Sequence, residues 1–133
     1  MYFSVVLITG GDLGYKVTQS AELFLPSSNT TCSLPQLSKA RRYHTQDGGL
    51  ACGGDNLDGD GDSVTRSCDK WSAGTWTQTS HTLRKGRSVH VSWPTAEGVY
   101  LIGGVFSGSG TTSELVKEDG SVEEGFALKY STL

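Results

Sequence analysis

The sequence predicts an all-β chain built from repeated four-stranded antiparallel sheet units, and three observations carry that prediction. Glycine is abundant, 18 of 133 residues against only 3 prolines, a composition that suits short strands and tight turns better than helices. Three short apolar runs each end in a glycine pair: Val6-Leu7-Ile8-Thr9-Gly10-Gly11, Leu50-Ala51-Cys52-Gly53-Gly54 and Val99-Tyr100-Leu101-Ile102-Gly103-Gly104. Their first glycines are 43 and 50 residues apart, close to the roughly 40–50-residue period of sheet units that stack around an axis. Further markers recur in step with the glycines.

Taken in order, each unit repeats the same events. The apolar run is too short for an ordinary helix and is closed by glycine, so it reads as a buried strand. A polar, turn-rich stretch follows, and then a Ser-started strand: Ser20-Ala21-Glu22-Leu23-Phe24, Ser67-Cys68-Asp69-Lys70-Trp71 and, more loosely, Ser113-Glu114-Leu115-Val116. Next comes an Arg-x-x-His segment, Arg41 to His44 and again Arg87 to His90, read as a strand. Residues 58–62 and 94–98 read as loop insertions that absorb the spacing differences. The repeats run approximately over 5–44, 45–90 and 91–133, with no separate second domain. The chain enters its first unit at the second strand and reaches a fourth strand near Lys129-Tyr130-Ser131. An incomplete ring is therefore expected, a piece of a longer chain that supplies the remaining blades, with an assembly of several copies completing the ring as the alternative.

This set of markers resembles the kelch repeat, a family of β-propeller units. The resemblance implies that the run ending in Gly-Gly is the second strand of a blade. A third strand then carries an aromatic near its end, a fourth begins near a Trp, and an Arg-x-x-His strand opens the next blade. Trp71 and Trp76 fit the two aromatic positions of the middle unit; Phe24 replaces the first of them in unit one, and Cys32 stands near the second. The glycine pairs (Gly10, Gly11, Gly53, Gly54, Gly103, Gly104) allow close approach of backbone or a ring. Trp71, Trp76 and Trp93 are expected to fill the space between stacked sheets. Arg41 and Arg87 are expected to reach loop carbonyls of the neighbouring blade, with His44 and His90 in the same blade-to-blade role.

Three cysteines are present, Cys32, Cys52 and Cys68. Cys52 and Cys68 lie on strands expected to pair, so Cys52–Cys68 is the preferred disulfide and Cys32–Cys52 the second choice. Asn29-Thr30-Thr31 is an N-glycosylation acceptor pattern in a polar loop over residues 26–31. With the cysteines it points to an oxidising, extracellular setting, with reduced cysteines in the cytoplasm as the alternative. Asp58, Asp60 and Asp62 alternate as at the start of a calcium loop. However, Ser63 stands where such a loop needs glycine and Asp69 where it needs glutamate, so a solvated acidic turn is the simpler reading.

The formal charge of −3 argues against nucleic acid as a partner, and the longest apolar run, Val5 to Ile8, is far too short to span a membrane. No catalytic constellation and no cofactor is read. The expected role is a non-catalytic protein-interaction module that presents loops to a protein partner, with residues 13–17, 56–62 and 106–112 as the candidate loops. Kelch propellers, by resemblance, bind actin, ubiquitin-ligase substrates or extracellular ligands. Two alternatives remain: a calcium-stabilised propeller, or part of a galactose oxidase-like enzyme. In that enzyme type a kelch-like propeller holds copper with tyrosines and histidines, and Tyr43-His44 is the only adjacent pair of that kind here.

Overall fold

A computed structural model describes residues 5–56, 64–105 and 109–130. It is all-β. Three antiparallel meanders follow one another along the chain. The first contains β1 (Val6–Thr9), β2 (Ala21–Leu25) and β3 (Thr30–Leu34). The second contains β4 (Thr45–Asp47), β5 (Leu50–Cys52), β6 (Cys68–Ser72) and β7 (Thr75–Gln78). The third contains β8 (Val91–Thr95), β9 (Gly98–Ile102), β10 (Thr112–Lys117) and β11 (Val122–Ala127). The sheets form a propeller-like stack that is not closed into a ring.

The glycine pairs end the second strand of each unit for a conformational reason. Gly10 and Gly11 have φ of +59° and +113°, Gly53 and Gly54 +70° and +88°, Gly103 and Gly104 +70° and +103°, a region that L side chains rarely enter. The turn is closed each time by one hydrogen bond, from Gly10 N to Ser20 O, from Gly53 N to Ser67 O and from Gly103 N to Thr112 O (2.9, 3.1 and 2.9 Å). These bonds fix the correspondence between units. The partner of Ser20 and Ser67 in the third unit is Thr112 and not Ser113, so the third Ser-started strand was expected one residue late.

Other boundaries also move. Arg-x-x-His is not a strand: both copies form a bend, with Tyr43 and Val89 at φ +53° and +55°, and the first strand begins after the histidine. Pro94 and Thr95 belong to β8, so residues 94–98 are a hairpin and not an insertion. The fourth strand of the last unit is β11, and Lys129 and Tyr130 form a bend beyond it, because the turn at Gly120 folds the chain back directly after Lys117; Ser131 lies outside the described residues. Asn29 sits at φ +53° on an exposed turn, and β3 begins at Thr30, so the polar loop there is shorter than expected.

Two apolar layers join the sheets. Ala21 and Leu37 meet Ala51 and Trp76 between the first and second, with Leu7, Leu34 and Trp71 packed against them. Cys52, Cys68 and Leu83 meet Leu101 and Val116 between the second and third. Burial on this scale supplies the main attraction between units that are too thin to hold a core alone. Trp93 does not join either layer. It is 54% exposed on the outer side of the third sheet, where it stacks on Tyr100 with ring centroids 5.7 Å apart.

Candidate functional site

The Arg-x-x-His bends sit at the joints between sheets. Arg41 is fully buried and donates from Nη1 to Gly53 O and Ser67 O, both 2.9 Å, and from Nη2 to Ser67 Oγ and Asp69 Oδ2 at 3.1 and 3.2 Å. Arg87 repeats this one unit later. Its Nη1 donates to Gly103 O and Thr112 O, and its Nη2 to Thr112 Oγ1 and Glu114 Oε2, the last at 2.7 Å. Carbonyl acceptors in the neighbouring sheet were expected; the carboxylates were not. Burial pushes the Arg41 pKa down, and the Asp69 charge opposes that shift.

Each histidine lies between two glycine pairs. A Cβ at Gly53 would stand 2.8 Å from His90 Cε1 and 2.6 Å from Arg87 O, and one at Gly104 3.1 Å from His90 Cβ. His44 fills the same place between Gly10 and Gly54. The glycines are therefore needed for close approach as well as for φ. His44 Nε2 lies 3.0 Å from Thr9 Oγ1, whose own proton goes to Gln46 Oε1 at 2.9 Å, so His44 is the donor to Thr9. His90 Nε2 lies 2.8 Å from Thr45 Oγ1. Burial, with a nearby arginine in each case, pushes His44 down to about 4 and His90 to about 3, so both rings are neutral at pH 7. Tyr43 points away from this packing and is 54% exposed; the adjacent Tyr43-His44 pair does not converge on one point.

Cys52 and Cys68 are paired directly across β5 and β6, with sulfurs 2.07 Å apart, the bonded distance. Cys32 is free and exposed. Trp71 and Trp76 are cross-strand partners packed edge to face, centroids 5.4 Å apart. Asp58, Asp60 and Asp62 lie outside the described residues, and among the described residues no cluster of metal-ligating side chains occurs. No helix of the described residues is long and apolar enough to cross a membrane.

At the first joint, the loop that follows Gly10 and Gly11 meets the connector bend at Arg42 and Tyr43. There they form a three-residue clamp. Arg42 donates from Nη1 to Asp12 Oδ2 at 2.6 Å and from Nε to Asp55 Oδ1 at 2.8 Å, and its guanidinium sits 4.8 Å from the Tyr43 ring centroid. Asp12 also accepts from Gly14 N at 2.8 Å. That bond and the Arg42 contact hold the Asp12 carboxyl below its usual range. The loop is closed by Leu13 N donating to Lys16 O, 2.9 Å, which leaves Leu13 52% and Tyr15 81% exposed. Asp12 and Asp55 were not singled out from sequence, although each directly follows a glycine pair, and that Gly-Gly-Asp recurrence was the available signal. At the next joint Ser88 and Val105 take the places of Arg42 and Asp55, so the clamp belongs to the first joint. At the opposite end, a cleft of about 320 Å³ opens between the second and third sheets, lined by Leu50, Lys70, Trp71, Pro94 and Val99 among others.

No family model and no curated protein matches the chain. Among solved structures, the protein YjhT is similar in fold with a TM-score of 0.73 at 19% identity. The match covers 92% of this chain and 42% of YjhT, so this chain spans less than half the length of that protein.

Proposed function

We propose that this chain is a non-catalytic recognition module, a partial propeller of kelch type whose loop face engages a protein partner. The observation that carries the reading is the exposure of Leu13 and Tyr15 on a loop held in place by Asp12 and Arg42. Large side chains at the surface are commonplace singly. An aromatic and an aliphatic side chain together on a braced loop, over rigid sheets, form the kind of patch from which interface anchors are drawn. Tyr43 beside Arg42 extends the same rim with a second amphipathic ring. The buried arginines and histidines are engaged at the joints between the sheets.

The Cys52–Cys68 bond and the exposed Asn29 turn support an oxidising, extracellular location. The test is site-specific photo-crosslinking from position 15 in the secreted fraction of the source cells, with position 126 on the outer side of the third sheet as the control. A discrete protein adduct from position 15 that disappears with Leu13→Ala, while circular dichroism stays unchanged, is the expected result. Equal adducts from both positions, or none from position 15, reject the loop face.

A further inference from the structure

The second joint breaks the packing pattern of the first at one place. Counting from the residue whose carbonyl closes each glycine turn, Lys70 corresponds to Leu23, and Val116 to Trp71. At the first joint Trp71 packs with Leu7 against the apolar layer, and Leu23 is the cross-strand partner of Leu7. At the second joint an ammonium side chain and a much smaller valine take those two places, and there the cleft of about 320 Å³ opens. Its walls are two cross-strand rows. Asp47, Leu50 and Lys70 stand in register on adjacent strands of the second sheet. Pro94, Val99 and Val116 do the same on the third. One wall is therefore apolar throughout, while the other carries a carboxylate and an ammonium on either side of a leucine. At about 4.8 Å per strand, the two charged residues stand about 9.6 Å apart.

We propose that this cleft binds a short peptide of about three small apolar residues with both ends free. Three residues reach about 10 Å, which sets the ammonium at Asp47 and the carboxylate at Lys70, with the side chains against Pro94, Val99 and Val116. Both charged heads are held in position without being used up. Ser92 Oγ donates to Asp47 Oδ2 and Lys70 Nζ donates to Glu118 O, which leaves a carboxylate oxygen and two ammonium protons for an occupant. The Glu118 carboxylate, 3.6 Å from Lys70 and 96% exposed, is a surface tie of little strength. Gly48, Gly49, Gly98 and Gly120 also line the cleft, so main chain meets the occupant where side chains would crowd it. A volume at the lower end for small-molecule sites excludes bulky side chains. The cleft lies apart from Leu13 and Tyr15, and the inference is independent of the partner proposed for the loop face.

The test titrates the full chain with the tripeptide Ala-Val-Ala and follows the methyl signals of Leu50, Val99 and Val116 by NMR. Saturable shifts at these methyls are expected with the free peptide. Acetylating its amine or amidating its carboxylate is expected to weaken binding about fivefold in each case, as for an ion pair at the edge of solvent. Asp47→Asn is expected to abolish the preference for the free amine and keep that for the free carboxylate, and Lys70→Met to do the reverse. Val116→Trp, which copies the first joint, is expected to remove the shifts at Leu50 and Val99. Doubly blocked peptide that binds as tightly as the free one overturns the proposal, and that comparison needs no variant to fold. So do methyl signals that stay in place, a preference for the free amine that survives Asp47→Asn, or a folded Val116→Trp chain that still binds. Crosslinking from position 15 reads only the loop face.

Discussion

The joint built on Arg41 and the joint built on Arg87 use one plan with carboxylates that differ by a methylene. At the first, Asp69 Oδ2 accepts from Arg41 Nη2 at 3.2 Å and from Ser38 N at 3.0 Å. Arg41 Nε and Asp69 Oδ1 have no hydrogen-bond partner. At the second, the longer Glu114 reaches far enough to accept from both Nη2 and Nε of Arg87, at 2.7 and 3.2 Å, and also from the backbone of Arg84 and Lys85. A buried ion pair is favourable only when its remaining donors and acceptors are satisfied. The second joint meets that condition and the first meets it in part. The comparison teaches that the repeat conserves the arginine's carbonyl contacts, while the carboxylate decides how firmly each pair of sheets is held.

The largest effect is expected from Arg87→Met, which strands Glu114 in a dry site and is predicted to cost about 4 kcal/mol in urea unfolding. Arg41→Met should cost at least about 1 kcal/mol less, since part of its network is already unmet. Equal losses would break the comparison. Acid is the next lever. The unfolded chain binds protons at both histidines near the usual pKa, while the folded chain resists until about 4 at His44 and about 3 at His90. Their contribution is therefore complete well above pH 6.5 and declines as pH falls through that value, by roughly 4 kcal/mol for the two together at pH 5. His90→Gln should flatten that slope more below pH 4 than His44→Gln, as followed by thermal melts across a pH series.

Opening the Cys52–Cys68 bond, which closes a 16-residue separation, is predicted to cost about 2–3 kcal/mol by the chain-entropy argument. Because both cysteines face the third sheet, hydrogen exchange should rise first at the Arg87 joint and not at the Arg41 joint. The smallest stability effect is expected from Arg42→Ala. Its two ion pairs are near the surface, where such pairs contribute little, so the urea midpoint should stay put. Limited proteolysis at Lys16 should nonetheless quicken, since the loop loses its brace; an unchanged cleavage rate would show that the backbone turn alone holds it.

Much of this architecture was legible in the chain. Glycine pairs at the end of apolar runs mark strand ends because few residues tolerate the positive φ that follows, and the Arg and His recurrences mark joints because buried polar groups need fixed partners. Less legible was the exact phase of the third unit, where Thr112 takes a place expected of Ser113. The carboxylates also went unread, because Asp69 and Glu114 are 28 and 27 residues from their arginines. Leu37, Leu83 and Leu128 repeat the same backbone bond at each unit, but a lone leucine in a polar connector carries no distinguishing pattern.

Local sequence thus determined what is local: strand segments, hairpin turns, glycine corners and the pairing of Cys52 with Cys68 across adjacent strands. Tertiary structure alone decided which carboxylate receives which arginine, that Arg42 bridges Asp12 and Asp55, and that Trp93 stands outside while Trp76 is buried. The physical reason is range. Backbone preference and hydrophobic alternation act over a few residues, whereas the partner of a buried charge is chosen by the stacking of whole sheets, which no short window of sequence contains.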